Sequence, residues 1–173
     1  VVISNDKDII EKIEKLKAFG IDTLPEFRSK PGVYDIKGLG FNYRMTDFQA
    51  ALGYTQMKRY DSNLMSRLNN VKLYHKLLSD NRDITFIPFD ESSSYFILQI
   101  ILSDRVDRDR VLLELKNRKI GVSIHYATPV PLMSFYKNKY RYKSQDFPNS
   151  VSFANQSIAL PVYPKLTEED IVY

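Results

Sequence analysis

Gly40-Phe41-Asn42-Tyr43-Arg44-Met45-Thr46-Asp47-Phe48-Gln49-Ala50-Ala51-Leu52-Gly53 is the stretch on which the reading of this chain turns. Thr46 and Gln49 have the spacing of a capping box: the Thr46 hydroxyl takes the Gln49 N–H and the Gln49 side chain reaches back to Thr46. Asp47 adds a negative charge at the positive end of the helix dipole. A helix therefore starts here, and Asn42, Tyr43 and Arg44 stand just before it on a glycine-kinked loop. An amide, a phenol and a guanidinium beside free backbone N–H groups suit an anion. They suit equally a loop anchor that only fixes the start of the helix, and the residues alone leave both readings open.

Working downstream, Phe48, Leu52, Met57, Tyr60, Leu64, Leu68, Val71, Tyr74 and Leu78 recur at helical spacing. They predict a helical region of about thirty residues, bent near Asp61-Ser62. Ala50, Ala51 and Gly53 keep its first turns slim, which permits close approach by another helix or backbone. After Asp80 the pattern changes to strands at 84–88 and 95–102, the second so uniformly apolar that it belongs at the centre of a sheet. A helix over 107–118 turns Val111, Leu112 and Leu115 inward. A third strand is expected at 120–124, then a long aromatic and basic loop to about residue 146, a short helix over 148–156 and a strand at 158–161. The last ninety or so residues thus read as an α+β unit.

Upstream, Val1 to Ile3 read as a buried strand, and Ile9, Ile13 and Leu16 as one face of a helix that Gly20 closes at its C′ position. Residues 21–41 form a long loop rich in proline and glycine, of the kind that is usually functional. Thr167-Glu168-Glu169-Asp170 starts a helix that runs less than two turns to Tyr173. Both ends are expected to continue, one from a sheet strand and the other into a helix.

Composition narrows the chemistry. The chain has 173 residues with no cysteine and two histidines. That excludes disulfide scaffolds, Cys-ligated zinc, iron–sulfur clusters and thiol catalysis, and leaves little for a multi-His metal site. Apolar residues make up 43% and charged residues 27%, the balance of a globular protein. A net charge of +4 with both signs interspersed fits a cytoplasmic protein with an anionic ligand as well as it fits one that meets nucleic acid. No stretch reaches the ~18 apolar residues of a membrane span. Gly38-Leu39-Gly40 lacks the third glycine of a dinucleotide fingerprint and does not follow a strand. Residues 136–143 interleave tyrosines with Lys137, Lys139, Arg141 and Lys143. A single-stranded nucleic-acid surface and a basic loop packed on its own domain both fit, and one short cluster favours the loop. His125-Tyr126 stands at a strand end beside a loop shaped by Pro129 and Pro131, which makes it a candidate pocket edge.

The 40–53 segment closely resembles the DegT/DnrJ/EryC1/StrS family of sugar aminotransferases. That family carries G-x-N-Y/F-R-M-x-D/E-x-Q-A-A-x-G-x-x-Q, matched here by Gly40, Asn42, Tyr43, Arg44, Met45, Asp47, Gln49, Ala50, Ala51, Gly53 and Gln56. Arg110, Leu115, Gly121 and Ile124-His125-Tyr126 resemble its next conserved run. Pro131-Leu132 and Tyr136, then Leu160-Pro161 and Leu166-Thr167-Glu168-Glu169-Asp170-Ile171, complete the resemblance in order. Met133 departs from it, standing where many relatives have histidine.

The resemblance implies α/β and α+β architecture: the C-terminal part of a type I aminotransferase fold dependent on pyridoxal 5'-phosphate (PLP). Residues 1–39 would be the tail of the large domain, 40–80 an interface loop and linking helix, and 81–173 the small domain. It implies a homodimer with shared active sites, a nucleotide-linked keto-sugar as substrate and an amino acid, glutamate, as donor. Neither nucleic acid nor membrane is an implied partner. Asn42 would reach the cofactor phosphate across the interface. Tyr43, Arg44, His125 and Tyr126 would face the substrate. The family's Schiff-base lysine would lie upstream of Val1, so these residues alone are expected to be inactive. The alternative is a non-catalytic, partner-binding or regulatory domain derived from the family.

Overall fold

The computed structural model describes residues 1–173 apart from Leu24, Phe89 and Glu91. Among the described residues the chain divides into two compact units, Val1–Lys58 and Arg59–Tyr173.

In the first unit, helix α1 (Lys7–Leu16) starts at Asp6, whose carboxylate accepts the N–H groups of Asp8 and Ile9. Helix α2 (Asp47–Met57) starts at the expected capping box. Gln49 N–H donates to Thr46 Oγ1 at 3.3 Å and Thr46 N–H donates to Gln49 Oε1 at 3.0 Å. Among the described residues neither helix has a buried side chain. Val1 to Ile3 do not form the expected buried strand; they are exposed and pair with no strand among the described residues. β-branched residues favour a strand through packing on a neighbour, and the described residues offer them none. Gly20 adopts the left-handed backbone, φ 74°, but it lies beyond the helix cap Lys17 rather than at C′, and Phe19 before it is left-handed too.

The expected continuous helix is broken. Helix α3 (Tyr60–Leu78) begins after Arg59, whose backbone (φ −104°, ψ 1°) leaves helical geometry with no side-chain cap. The break falls just before the bend that the sequence predicts.

The second unit is built on an antiparallel sheet with strand order β1 (Ile84–Phe86), β2 (Leu98–Leu102), β3 (Ser157–Leu160). Ile84 faces Leu102, and Ile100 faces Ile158. The apolar run therefore lies centrally, though the strand is shorter than 95–102 because Tyr95 turns left-handed at φ 47°. Alternation buries Leu98, Ile100 and Leu102. Val71 and Tyr74 of α3 meet Leu98 and Ile171 of α7 (Glu168–Val172). Val111, Leu112 and Leu115 of α4 (Arg108–Asn117) cover Ile100, Leu102 and Ile158. So short a helix as α7 is marginal in water. Burial of Ile171 and a Thr167–Asp170 capping box hold it, and the Thr167 hydrogen bonds keep the Asp170 carboxyl below its usual range.

Two further expectations change. The 120–124 strand is reduced to a single bridge between Ser123 and Ala159. The reason is a helix cap. Lys119 turns left-handed at φ 63°, Ile120 N–H donates to Leu115 O and Lys119 N–H to Lys116 O. This Schellman closure spends on α4 the donor that a ladder would need. The 125–146 loop contains α5 (Ser134–Tyr140) between 3-10 turns at Val130–Leu132 and Ser144–Asp146. Helix α6 (Pro148–Gln156) follows as expected. The largely buried Arg108 guanidinium ties its end to β3, donating to Ala154 O at 2.9 Å and Ser157 O at 3.2 Å.

Two outcomes follow from this packing. Ile158 is 0% exposed, so Ile158→Ala should cost about 2–5 kcal/mol in urea unfolding. His75 stacks on Phe86 with centroids 3.8 Å apart, and burial holds its imidazole below the usual value. Its folded form binds fewer protons than the unfolded chain. The stability it contributes is therefore present above about pH 6.5 and is lost as pH falls below that. His75→Leu should flatten the fall in urea midpoint between about pH 7.5 and about pH 5.5; an unchanged slope would exclude His75 as its source.

Candidate active-site strap and its partner residues

Residues 38–44 run as a strap along residues 16–20. Phe41 N–H donates to Leu16 O at 2.6 Å, Phe19 N–H to Phe41 O at 2.9 Å and Tyr43 N–H to Lys17 O at 2.9 Å. An antiparallel bridge joins Ala18 and Asn42. The strap comes this close because both crossing residues lack side chains. A Cβ on Gly40 would overlap the Gly20 nitrogen and the Phe19 carbonyl carbon, and one on Gly20 would overlap Gly38 O.

This register sets the predicted site residues. Phe41 and Tyr43 stack on one side of the strap, centroids 5.1 Å apart and 9° from parallel. Extended backbone sends Asn42 to the opposite side. The Arg44 guanidinium lies over the Phe19 ring, Cζ 5.1 Å from the centroid. Two residues further on, Thr46 starts α2. Asn42, Tyr43 and Arg44 are all exposed, as is Phe48 at 81%. Arg44 and Met45 also line a groove of about 710 Å³ in the first unit, together with Ile10, Ile21 and Phe27. On its rim, Asp22 pairs with Lys37 at 2.8 Å. That pairing and the Thr23 hydroxyl lower the Asp22 carboxyl, and the Lys37 ammonium is raised in turn. An amide, a phenol and a guanidinium, all exposed, are donors that phosphate oxygens accept from. They fit the phosphate end of PLP and the phosphates of a nucleotide alike.

His125 and Tyr126 belong to the second unit, directly after the Ser123 bridge to Ala159. Gln99 Nε2 donates to His125 O at 2.6 Å, fixing the main chain there. The His125 Nδ1 is buried and has no hydrogen-bond partner among the described residues. Tyr126 is exposed and meets the His125 ring edge-on at 5.4 Å. The structure brings Asn42, Tyr43 and Arg44 together on one strap, and His125 and Tyr126 together on another unit. Among the described residues no cluster of three or more His, Cys, Asp or Glu is placed to hold a metal, and no helix is long and apolar enough to cross a membrane.

Sequence reasoning missed two contributors. Gln99 is the polar residue inside the apolar run of β2. Phe19 stands off the apolar face of α1 and directly before a glycine. Each is a departure from its local pattern, and that departure is the signal that could have found it.

The sequence profile of DegT/DnrJ/EryC1/StrS aminotransferases matches residues 1–173. The chain belongs to that family. An uncharacterized protein of Methanocaldococcus jannaschii is 31% identical over 99% of this chain and 46% of its own length. A UDP-4-amino-4,6-dideoxy-N-acetyl-beta-L-altrosamine transaminase of Campylobacter jejuni is 28% identical over 98% of this chain and 44% of its own. Among solved structures, Spr1654 of Streptococcus pneumoniae in its PMP form superposes with a TM-score of 0.86 at 26% identity, over 98% of this chain and 44% of that one. The same protein has also been solved in a PLP form. The fold is therefore part of the type I aminotransferase fold, and family members are PLP-dependent sugar aminotransferases. The chain spans less than half the length of these relatives.

The strap geometry is directly testable. Gly40→Ala should cost about 1–3 kcal/mol, because backbone must move to admit the methyl group. Gly38→Ala, with open space around its Cβ position, should stay within about 0.5 kcal/mol of the parent. Chemical denaturation of both variants reads the contrast, and faster amide exchange at Tyr43 in Gly40→Ala alone reports the displaced strap.

Proposed function

We propose that this chain is the strap-bearing portion of a cytoplasmic, homodimeric PLP-dependent transaminase that moves an amino group from glutamate to a nucleotide-linked keto-sugar. The observation that carries the reading is the strap. Asn42, Tyr43 and Arg44 are held from one side by the Gly20–Gly40 crossing and from the other by the Thr46–Gln49 capping box. Fixed, exposed donors of this kind serve phosphate recognition without reorganisation on binding.

In this reading Asn42 donates its side-chain amide to the cofactor phosphate of the partner subunit's site. Arg44 offers its in-plane N–H groups to a phosphate of the nucleotide, and Tyr43 lines the same pocket. His125 and Tyr126 face the sugar, with Gln99 fixing the main chain at His125. PLP, when bound, supplies the electron sink that amino transfer requires. In this reading the lysine that takes part in that chemistry is one that the family resemblance places outside these 173 residues. Exposed Phe48, Leu52, Tyr54 and Met57 on α2 support an assembly that covers them.

The test is cofactor retention. In the protein encoded by the full reading frame, Asn42→Ala should weaken PLP affinity about tenfold, the loss of one hydrogen bond to a charged group. Absorbance of the cofactor remaining after dialysis at graded PLP reads it. Wild-type retention in that variant would overturn the cross-subunit role. The isolated 173 residues should show no amino transfer from glutamate under any PLP concentration.

A further inference from the structure

Phe19 has a backbone that a bulky side chain seldom adopts. Its φ of 64° places it in the left-handed region, where a side chain with a Cβ is strained. Such strain is retained where the surrounding structure imposes it and the residue has work to do. The ring is 40% exposed. The other rings of the strap are engaged with each other, Phe41 on Tyr43. What the Phe19 ring carries is the Arg44 guanidinium, 5.1 Å from its centroid.

We propose that Phe19 is the positioning residue for Arg44, and that the pair presents a phosphate-binding edge to the nucleotide-linked substrate. The inference rests on the reading of Arg44 as a substrate contact. The physical division is between the face and the edge of the guanidinium. The Arg44 Cζ lies over the aromatic ring, and a guanidinium carried there keeps its five in-plane N–H donors for a bidentate oxyanion. Among the described residues Arg44 makes no ion pair that would occupy those donors. The register of the pair is set by main chain rather than by packing. Phe19 N–H donates to Phe41 O at 2.9 Å and Tyr43 N–H to Lys17 O at 2.9 Å. Those bonds hold the two backbones at one separation on either side of the contact. A flexible arginine loses rotamer entropy on binding an anion; one already held against a ring loses less.

The experiment is titration calorimetry of UDP and of dTDP into the protein from the full reading frame, with thermal melts of every variant. Phe19→Leu should weaken the tighter-binding nucleotide about three- to fivefold, the range of one partly exposed cation–π contact. Phe19→Tyr should bind like the parent. Phe19→Gly should bind as weakly as Phe19→Leu yet melt no lower than the parent, since glycine relieves the left-handed strain. Adding Phe19→Leu to Arg44→Ala should weaken binding no further. Parallel losses of melting temperature in the Leu and Gly variants, with binding intact, would overturn the proposal and leave Phe19 a structural residue. Two outcomes reach the underlying reading instead. Unchanged affinity in Arg44→Ala removes Arg44 from the substrate site, and no binding of either nucleotide by the parent removes the nucleotide. Weakened binding in Arg44→Ala with unchanged binding in Phe19→Leu overturns the positioning role alone.

Discussion

Two glycines let one backbone cross another in the first unit, and the position of everything chemically interesting there depends on that crossing. The strap passes so close to Gly20 that no side chain fits there, against Gly38 O, or at Gly40, against the Gly20 nitrogen. The strap is then locked into a three-bond register against residues 16–19. Downstream, Thr46 caps α2 and ends the freedom of the segment from the other side. Between these two fixed points the chain has room for only a few residues, and they are Asn42, Tyr43, Arg44 and their neighbours. Their backbone is held by hydrogen bonds between main-chain atoms, and the Arg44 side chain lies over the Phe19 ring beside it.

The second unit is held in the opposite way, by side-chain burial. Leu98, Ile100 and Leu102 of β2 are buried in alternation, and α3 with α7 covers one end of that row while α4 covers the other. The fully buried Ile158 on β3 joins the α4 side. His125 and Tyr126 follow from this core. Ser123 pairs with β3, Gln99 reaches from β2 to the His125 carbonyl, and the two rings emerge at the end of that short pairing.

What the sequence made legible follows the same division. The capping box at Thr46, the central β2 strand and the inward face of α4 depend on neighbours within a few residues or on a strong apolar period, and they were read correctly. The strand at 120–124 was misread because its β-branched pattern is real, while the competing use of Ile120 N–H in closing α4 depends on Lys119 turning left-handed. Lysine gives no hint of that turn, whereas Gly121 two residues later points to the wrong place. Val1 to Ile3 form no strand here because strand propensity describes fit to a neighbouring ladder, and the described residues supply none for them. The 40–53 segment stands out in the sequence as a candidate site by its residue types and family pattern. That Phe19 meets Arg44 does not, because the contact joins residues twenty-five apart through a glycine crossing that no local period encodes.

The exposure of the first unit gives this arrangement its sense. Neither α1 nor α2 has a buried side chain among the described residues, though α1 has an apolar face and α2 carries Phe48, Leu52, Tyr54 and Met57. Hydrophobic burial is the main favourable contribution to folding, and the exposed apolar side chains of this unit are of the kind that an assembly covers. In the proposed reading that cover comes from the rest of the protein and from the second subunit, and the site exists only where they meet. A strap held by core packing would move whenever those surfaces came together. One held by a glycine crossing and a helix cap would, in that reading, reach the interface with its backbone already placed, and the energy of assembly could go into closing the site rather than building it.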